Sequence, residues 1–241
     1  MNGKIVFVDI ESGGLDPEQH AIIQFAAIAV SDDLLEEHET LELKILFPQM
    51  SATSEALEVN SYDPEVWARE GIPPREAEPR ISSFLRRHAT VQKVSAKGKA
   101  YSIARLAGHN AAGFDIPFLR AWYRRRDKFS PFSWHALDTL SLAIWTLRHR
   151  DVRSFKLADL CEYFGIEIAG SHDALADVRA TLELARAIEL RRGPDRPAWD
   201  EPEPPEPDEQ TRKDPLDTKL FDLSSETPPL DDGAGFRGDE S

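Results

Sequence analysis

Asp9 and Glu11 stand two residues apart at the end of the run Lys4-Ile5-Val6-Phe7-Val8-Asp9-Ile10-Glu11. The run is apolar from Ile5 to Ile10 except at Asp9, the pattern of a strand buried on both faces. Side chains alternate along a strand, so Ile5, Phe7, Asp9 and Glu11 share one face, with the two carboxylates about 6.6 Å apart along it. Carboxylates on a buried strand are costly unless something positive sits between them. A divalent metal is the simplest such partner. The plainer alternative is a strand ending in a solvated acidic turn. Gly13 and Gly14 follow, where the backbone can turn sharply and come close to a ligand.

Two further stretches hold residue types of the same chemistry. In Gly108-His109-Asn110-Ala111-Ala112-Gly113-Phe114-Asp115 a strand ends, small residues turn, and Asp115 opens a helix. In His172-Asp173-Ala174-Leu175-Ala176-Asp177 the histidine precedes a helix, and Asp177 lies about one and a half turns inside it. Leu175, Ala176 and Val178 flank Asp177 on a half-apolar helix, which favours an inward direction. Each residue also has an ordinary role open to it. Asp115 suits the positive end of a helix dipole, Asp177 a solvated helix face, His172 a cap, and His109 and Asn110 a plain loop.

The three stretches in this order resemble the DEDD-type exonucleases, in the subclass with a catalytic histidine. The resemblance covers roughly residues 4–190. Asp9-Ile10-Glu11-Ser12 is similar to the first motif of that family, His109-Asn110 with Phe114-Asp115 to the second, and His172 with Asp177 to the third. Asp138-Thr139 matches a dipeptide typical of the family between the second and third motifs. Within the family the sequence resembles the proofreading subunits of bacterial replicative polymerases, and a stand-alone DNA exonuclease would carry the same motifs. The resemblance implies a ribonuclease-H-like fold and 3′→5′ release of nucleoside monophosphates. It implies that Asp9, Glu11, Asp115 and Asp177 hold two Mg²⁺ or Mn²⁺ ions and that His172 is the general base. It also places the terminal nucleotide against Ser12, Gly13, Gly14 and Leu15, with Asn110 and Phe114 bordering the cleft.

The elements that must position these residues are legible as patterns. Ala21 to Val30 is a second apolar run, and Glu39 to Phe47 alternates with Leu41, Leu43, Ile45 and Phe47 on one face, so the chain opens with three antiparallel strands. Short helices are expected after Pro64 and after Pro73-Pro74, the second with an Ile81, Phe84, Leu85 stripe. Gln92 to Tyr101 reads as an exposed basic hairpin or loop containing Lys93, Lys97 and Lys99. A strand is expected over Ile103–His109 and a helix over Phe114–Arg126. Further helices are expected from Leu137-Asp138-Thr139 to Leu147, over Phe155–Phe164, and from about Asp173 to Leu190. The fold class is α/β: a mixed sheet, three antiparallel strands then parallel ones, flanked by helices.

Composition divides the chain in two. Residues 193–241 hold 15 Asp and Glu against 5 Lys and Arg, together with nine of the 17 prolines, and so carry −10 of the formal charge of −14. An exonuclease domain is expected over 1–192, and the acidic, Pro-rich segment 193–241 cannot bury enough surface to offset its chain entropy. Within it Thr218-Lys219-Leu220-Phe221-Asp222-Leu223 is an apolar island, open between a short peptide that orders on binding, with a replication protein as the expected receptor, and a chance cluster in a flexible tail. The single cysteine, Cys161, excludes an intrachain disulfide framework and fits a reducing cytoplasm. No apolar run approaches membrane-spanning length.

Substrate and partner expectations follow from the resemblance. The leading expectation is single-stranded DNA 3′ ends; RNA trimming is the alternative, because no residue settles how a 2′-hydroxyl is treated. A non-catalytic binding module is the alternative from another class. Arg120, Arg124, Arg125, Arg126 and Lys128, interleaved with Trp122, Tyr123 and Phe129, fit either a single-strand groove or an ordinary amphipathic helix. The segment Lys93–Lys99 is open between a substrate-facing finger and a surface insertion.

Overall fold

The computed structural model describes residues 3–34, 36–168 and 173–192. Three strands open the chain: β1 (Lys4–Ser12), β2 (Ile22–Ser31) and β3 (Glu37–Lys44). Three helices follow, α1 (Ser54–Val59), α2 (Pro64–Glu70) and α3 (Pro74–Arg87). A hairpin of β4 (Val91–Val94) and β5 (Ala100–Ile103) leads into β6 (Leu106–Gly108) and α4 (Asp115–Arg124). The chain then forms β7 (Leu137–Asp138), α5 (Thr139–Leu147), α6 (Leu157–Phe164) and α7 (Ala174–Arg192). His172 and residues 193–241, including Leu220 to Leu223, lie outside the described residues.

The main sheet has the order β3-β2-β1-β6-β7. β1 pairs antiparallel with β2, from Lys4↔Ser31 to Ser12↔Ile22, and parallel with β6 through Val6↔Leu106 and Phe7↔Ala107. The central position of β1 follows from its sequence, because only a strand covered on both faces buries Ile5 to Ile10 without alternation. Val6, Val8 and Ile10 pack against Ile81, Phe84 and Leu85 of α3 and Ile116, Leu119 and Trp122 of α4. Ile5 and Phe7 point the other way, against Val178, Leu182 and Ala185 of α7. The mixed α/β sheet flanked by helices is thus the expected one.

Among the boundaries that differ from the sequence reading, three change what a residue pairs with. The stretch expected as one strand over 103–109 is divided: Ile103 pairs with Val91 in the hairpin, whereas Leu106 pairs with β1. The helix expected from Phe155 begins at Leu157, and the Phe155 carbonyl is taken instead by His109. β3 ends at Lys44, after which Ile45 makes a bridge to Ile72. Cys161 is buried, and burial pushes its thiol up to about 11, in keeping with a small core residue. Among the described residues no helix is long and apolar enough to cross a membrane.

Candidate active site

The face of β1 that carries Ile5 and Phe7 continues through Asp9 and Glu11, so strand alternation alone aims both carboxylates at α7. On α7, Ala174, Val178, Thr181, Leu182 and Ala185 are buried at helical spacing. Asp177 falls one residue before Val178 and three after Ala174, on the edge of that stripe. One carboxylate oxygen each from Asp9, Glu11 and Asp177 lies within 4.8 Å of the others. The apolar seam between β1 and α7 therefore ends in a group of acids.

Asp115 reaches the same place from the other side of the strand. Its Oδ1 accepts the Ile10 backbone N–H at 3.0 Å, between the two acidic residues of β1, and the side chain is 3% exposed. It sits there because β6 runs parallel to β1 and ends at Gly108, after which a tight turn starts α4 at Asp115. Asn110 adopts φ +60° in that turn, and its carbonyl accepts the N–H groups of Gly113 and Phe114, both at 3.0 Å. A Cβ on Gly108 would lie 2.8 Å from the Ala111 Cβ and 2.9 Å from the Val8 carbonyl, so only glycine lets the turn close onto β1.

Proximity and burial set the protonation of this cluster. Burial, followed by the charges of Asp177, Asp115 and Asp173, pushes the Glu11 carboxyl up from 4.5 to about 7. Burial likewise raises Asp115 to about 7, with the charge of Asp138 adding to it and the Ile10 N–H opposing it. Burial and then Asp115, Glu11, Asp177 and Asp173 hold Asp9 well above the usual carboxylate range. Like charges crowded in a shielded place keep protons that isolated acids would release. Such a donor set, all oxygen and strongly negative, fits hard divalent cations such as Mg²⁺ or Mn²⁺.

Asp173 and Gln24, which sequence reasoning did not single out, and Asp138, which it noted only within the Asp138-Thr139 dipeptide, belong to the surroundings. Asp173 caps α7, accepting the Ala176 N–H at 3.1 Å, and adds its charge to Asp9 and Glu11. Gln24 is 2% exposed and stands opposite Glu11 across the β1–β2 pair; its Nε2 donates to Glu42 at 2.9 Å and to Asp173 at 3.5 Å. It is the one polar residue in Ile22–Val30, which is the signal that could have found it. Asp138 caps α5 and also reaches the turn that carries Asn110.

The residues expected to line the terminal-nucleotide pocket gather at the end of β1. Ser12 Oγ donates to the Gly14 carbonyl at 2.6 Å, and Asn60 Nδ2 donates to the Ser12 carbonyl at 2.8 Å. Gly13 is pressed against residues 51–53: the Thr53 N–H donates to its carbonyl, and a Cβ there would meet the Ala52 Cα at 2.7 Å. Leu15, next along, is 84% exposed. Phe114 is half-buried with its ring 4.9 Å from that of Phe118, and Asn110 is exposed on the turn before Asp115.

The basic and aromatic stretch on α4 resolves toward the ordinary alternative. Trp122 and Tyr123 are core residues, Arg124 pairs with Glu18, Arg125 donates to the Pro17 carbonyl, and Arg126 stacks 3.5 Å from the Trp122 ring centroid. Phe129 is exposed, edge-on to Tyr101. The Lys93–Lys99 segment lies in the β4–β5 hairpin, a two-stranded sheet of its own, and Thr90 just before it donates to the Lys4 carbonyl, at the opposite end of β1 from Asp9 and Glu11. His109 bonds Thr139 and the Phe155 carbonyl.

An exonuclease family model (RNase T) matches residues 87–185, the part of the chain that holds Asp115 and Asp177. Ribonuclease T of Marinobacter nauticus is 32% identical over 189 residues, covering 74% of this chain and 79% of that protein. The chain belongs to this exonuclease family. It is a DEDD-type 3′→5′ exonuclease of the ribonuclease-H-like superfamily, and with that the non-catalytic alternative falls. The PolC-type DNA polymerase III of Thermotoga petrophila is 27% identical over 195 residues, which are 79% of this chain and 12% of the polymerase. The fold is shared with E. coli exonuclease I in complex with a dT13 oligonucleotide, at a TM-score of 0.61 and 23% identity. That match takes in 79% of this chain and 42% of exonuclease I.

Proposed function

We propose that this exonuclease removes nucleoside monophosphates from single-stranded 3′ ends with two divalent cations held by Asp9, Glu11, Asp115 and Asp177. The observation that carries the reading is the convergence of Asp9, Glu11 and Asp177 within 4.8 Å, with Asp115 hydrogen-bonded between the two β1 acids. When bound, the cations polarise the scissile phosphate and stabilise the leaving 3′ oxygen. His172 stands immediately before Asp173, the cap of α7, and is the general base of the reading. Its imidazole accepts the attacking water's proton as the water oxygen bonds phosphorus and the P–O3′ bond breaks. Ser12, Gly13 and Gly14 receive the last nucleotide, the exposed Leu15 side chain packs on its base, and Asn110 and Phe114 border the entry.

DNA is the first substrate of the reading, supported by the fold shared with an exonuclease I bound to oligo-dT. RNA is the second, favoured by the sequence relatives that are ribonuclease T. The test is hydrolysis of 3′- and 5′-labelled single-stranded DNA and RNA oligomers with Mg²⁺, for wild type, Asp9→Ala and His172→Ala. Stepwise shortening from the 3′ end, lost in both variants and in EDTA, is expected, and the DNA/RNA rate ratio names the substrate. Shortening that persists in EDTA or in Asp9→Ala would overturn the metal site. The island Leu220 to Leu223 is proposed as a docking peptide for a replication protein; equal pull-down of partners with and without residues 193–241 would refute it.

A further inference from the structure

Asp138 differs from Asp63, the capping aspartate of α2, in where its hydrogen bonds go. A helix cap satisfies the first free N–H groups of its own helix. Asp63 does only that, accepting Glu65 N–H and Val66 N–H of α2 through Oδ1. Asp138 accepts Leu140 N–H at 3.0 Å and Ser141 N–H at 3.4 Å of α5 in the same way. It then accepts two more from a segment 26 and 28 residues earlier: Asn110 N–H at 3.1 Å and Ala112 N–H at 3.0 Å. Both oxygens are used, Oδ1 for Asn110 and α5, Oδ2 for Ala112. The carboxylate thus clamps the turn between β6 and α4 onto the start of α5.

Thr139 extends the clamp by one residue. Its Oγ1 lies 2.9 Å from His109 Nδ1, and His109 Nε2 lies 3.0 Å from the Phe155 carbonyl. A carbonyl only accepts, so Nε2 carries the proton. Burial lowers the affinity of His109 for a second proton, which makes Nδ1 the acceptor and the Thr139 hydroxyl the donor. His109, Asn110 and Ala112 are therefore each held by Asp138 or Thr139. Beyond them the turn is internally rigid, with Phe114 N–H on the Asn110 carbonyl and Ile116 N–H on the Ala111 carbonyl at 2.9 Å. The next side chain in that rigid unit is Asp115.

We propose that Asp138 and Thr139 form a latch that holds the 109–114 turn, and through it Asp115, at the distance from β1 that cation binding and hydrolysis require. Asp138 is then a positioning residue, and the idea rests on the metal site proposed above. Removing the clamp leaves Asn110 and Ala112 N–H groups without their acceptor, and the turn that fixes Asp115 loosens. Groups that orient the ligands of a metal typically matter about 10- to 100-fold in affinity or activity.

The experiment uses the full chain in five forms: wild type, Asp138→Ala, Asp138→Asn, Thr139→Val and, as a cap control, Asp63→Ala. Mn²⁺ binding to the chelator-stripped protein is measured by calorimetry, and kcat and KM by release from a 3′-labelled single strand. Asp138→Ala is expected to lower kcat about 10- to 100-fold and weaken Mn²⁺ binding about tenfold, with KM changed less than about threefold. Asp63→Ala loses comparable thermal stability but keeps the kcat and Mn²⁺ affinity of wild type. Asp138→Asn and Thr139→Val give smaller losses in the same direction, and they carry the test should Asp138→Ala fail to fold. Wild-type kcat and Mn²⁺ affinity in folded Asp138→Asn and Thr139→Val would overturn the latch while leaving the metal site standing. A wild type that neither binds Mn²⁺ nor shortens the strand would overturn both.

Discussion

The seam between β1 and α7 changes character along its length. At one end Ile5 and Phe7 meet Val178, Leu182 and Ala185, and the contact is apolar. At the other, two residues further along the same strand face, Asp9 and Glu11 meet Asp177. Burying an apolar side chain at the first end contributes roughly 1.5–3 kcal/mol. Holding the Glu11 carboxyl at about 7 instead of 4.5 costs its ionised form about 3 kcal/mol. The two ends are therefore of similar size and opposite sign. One strand–helix contact supplies rigidity at its apolar end and uses it at the other to hold acids that would otherwise separate. The acids repel until a cation joins them, so the destabilised end is the one with chemistry to do.

Substitutions at the two ends should separate. Asp177→Asn removes a charge and almost no volume, and should lower kcat by at least about 10³-fold. In the metal-free protein the same change should raise the thermal midpoint, because a repulsion is gone. Phe7→Ala should do the reverse, costing about 3–5 kcal/mol in a urea titration, with kcat within a few-fold of wild type at a temperature where the variant is folded. Loss of kcat in folded Phe7→Ala would show that the ends cannot be treated apart.

The pH dependence sharpens the contrast. Glu11 and Asp115 are raised from 4.5 and 3.8 to about 7, so between those limits the folded chain holds more protons than the unfolded one. Stability then falls as pH rises through that window, the opposite of a salt-bridged acid. The metal-free thermal midpoint should decline from about pH 4.5 to about pH 7 and flatten above, and saturating Mg²⁺ should remove most of the decline. The smallest effect is expected away from the seam. Arg124→Ala breaks an exposed pair with Glu18 and should alter stability by less than about 1 kcal/mol, and kcat/KM by less than about twofold.

Residues whose direction is fixed by local periodicity were legible in the sequence. Alternation put Asp9 and Glu11 on one face, and the half-apolar helix turned Asp177 inward, where the structure has them. The opening antiparallel strands and the late helices were legible for the same reason. Residues whose role depends on a tertiary neighbour were not. Gln24 acquires its partners from β3 and from the cap of α7, and Asp138 acquires half of its hydrogen bonds from a turn 26 to 28 residues away. Trp122 and Tyr123 show the limit from the other side: aromatic and basic residues in alternation describe a stacking groove and an amphipathic helix equally well, and only packing under α3 and β1 makes them core.

The most direct test of the acidic end is a calorimetric titration of Mn²⁺ into chelator-stripped protein at pH 7, repeated in buffers of different ionisation enthalpy. Glu11 and Asp115, each raised to about 7, hold a share of their protons at that pH, and cation binding must displace them. Saturable binding with net proton release, both lost in Asp9→Asn, is the predicted result. Binding without proton release, or binding unchanged in Asp9→Asn, would contradict a cation site made by these carboxylates.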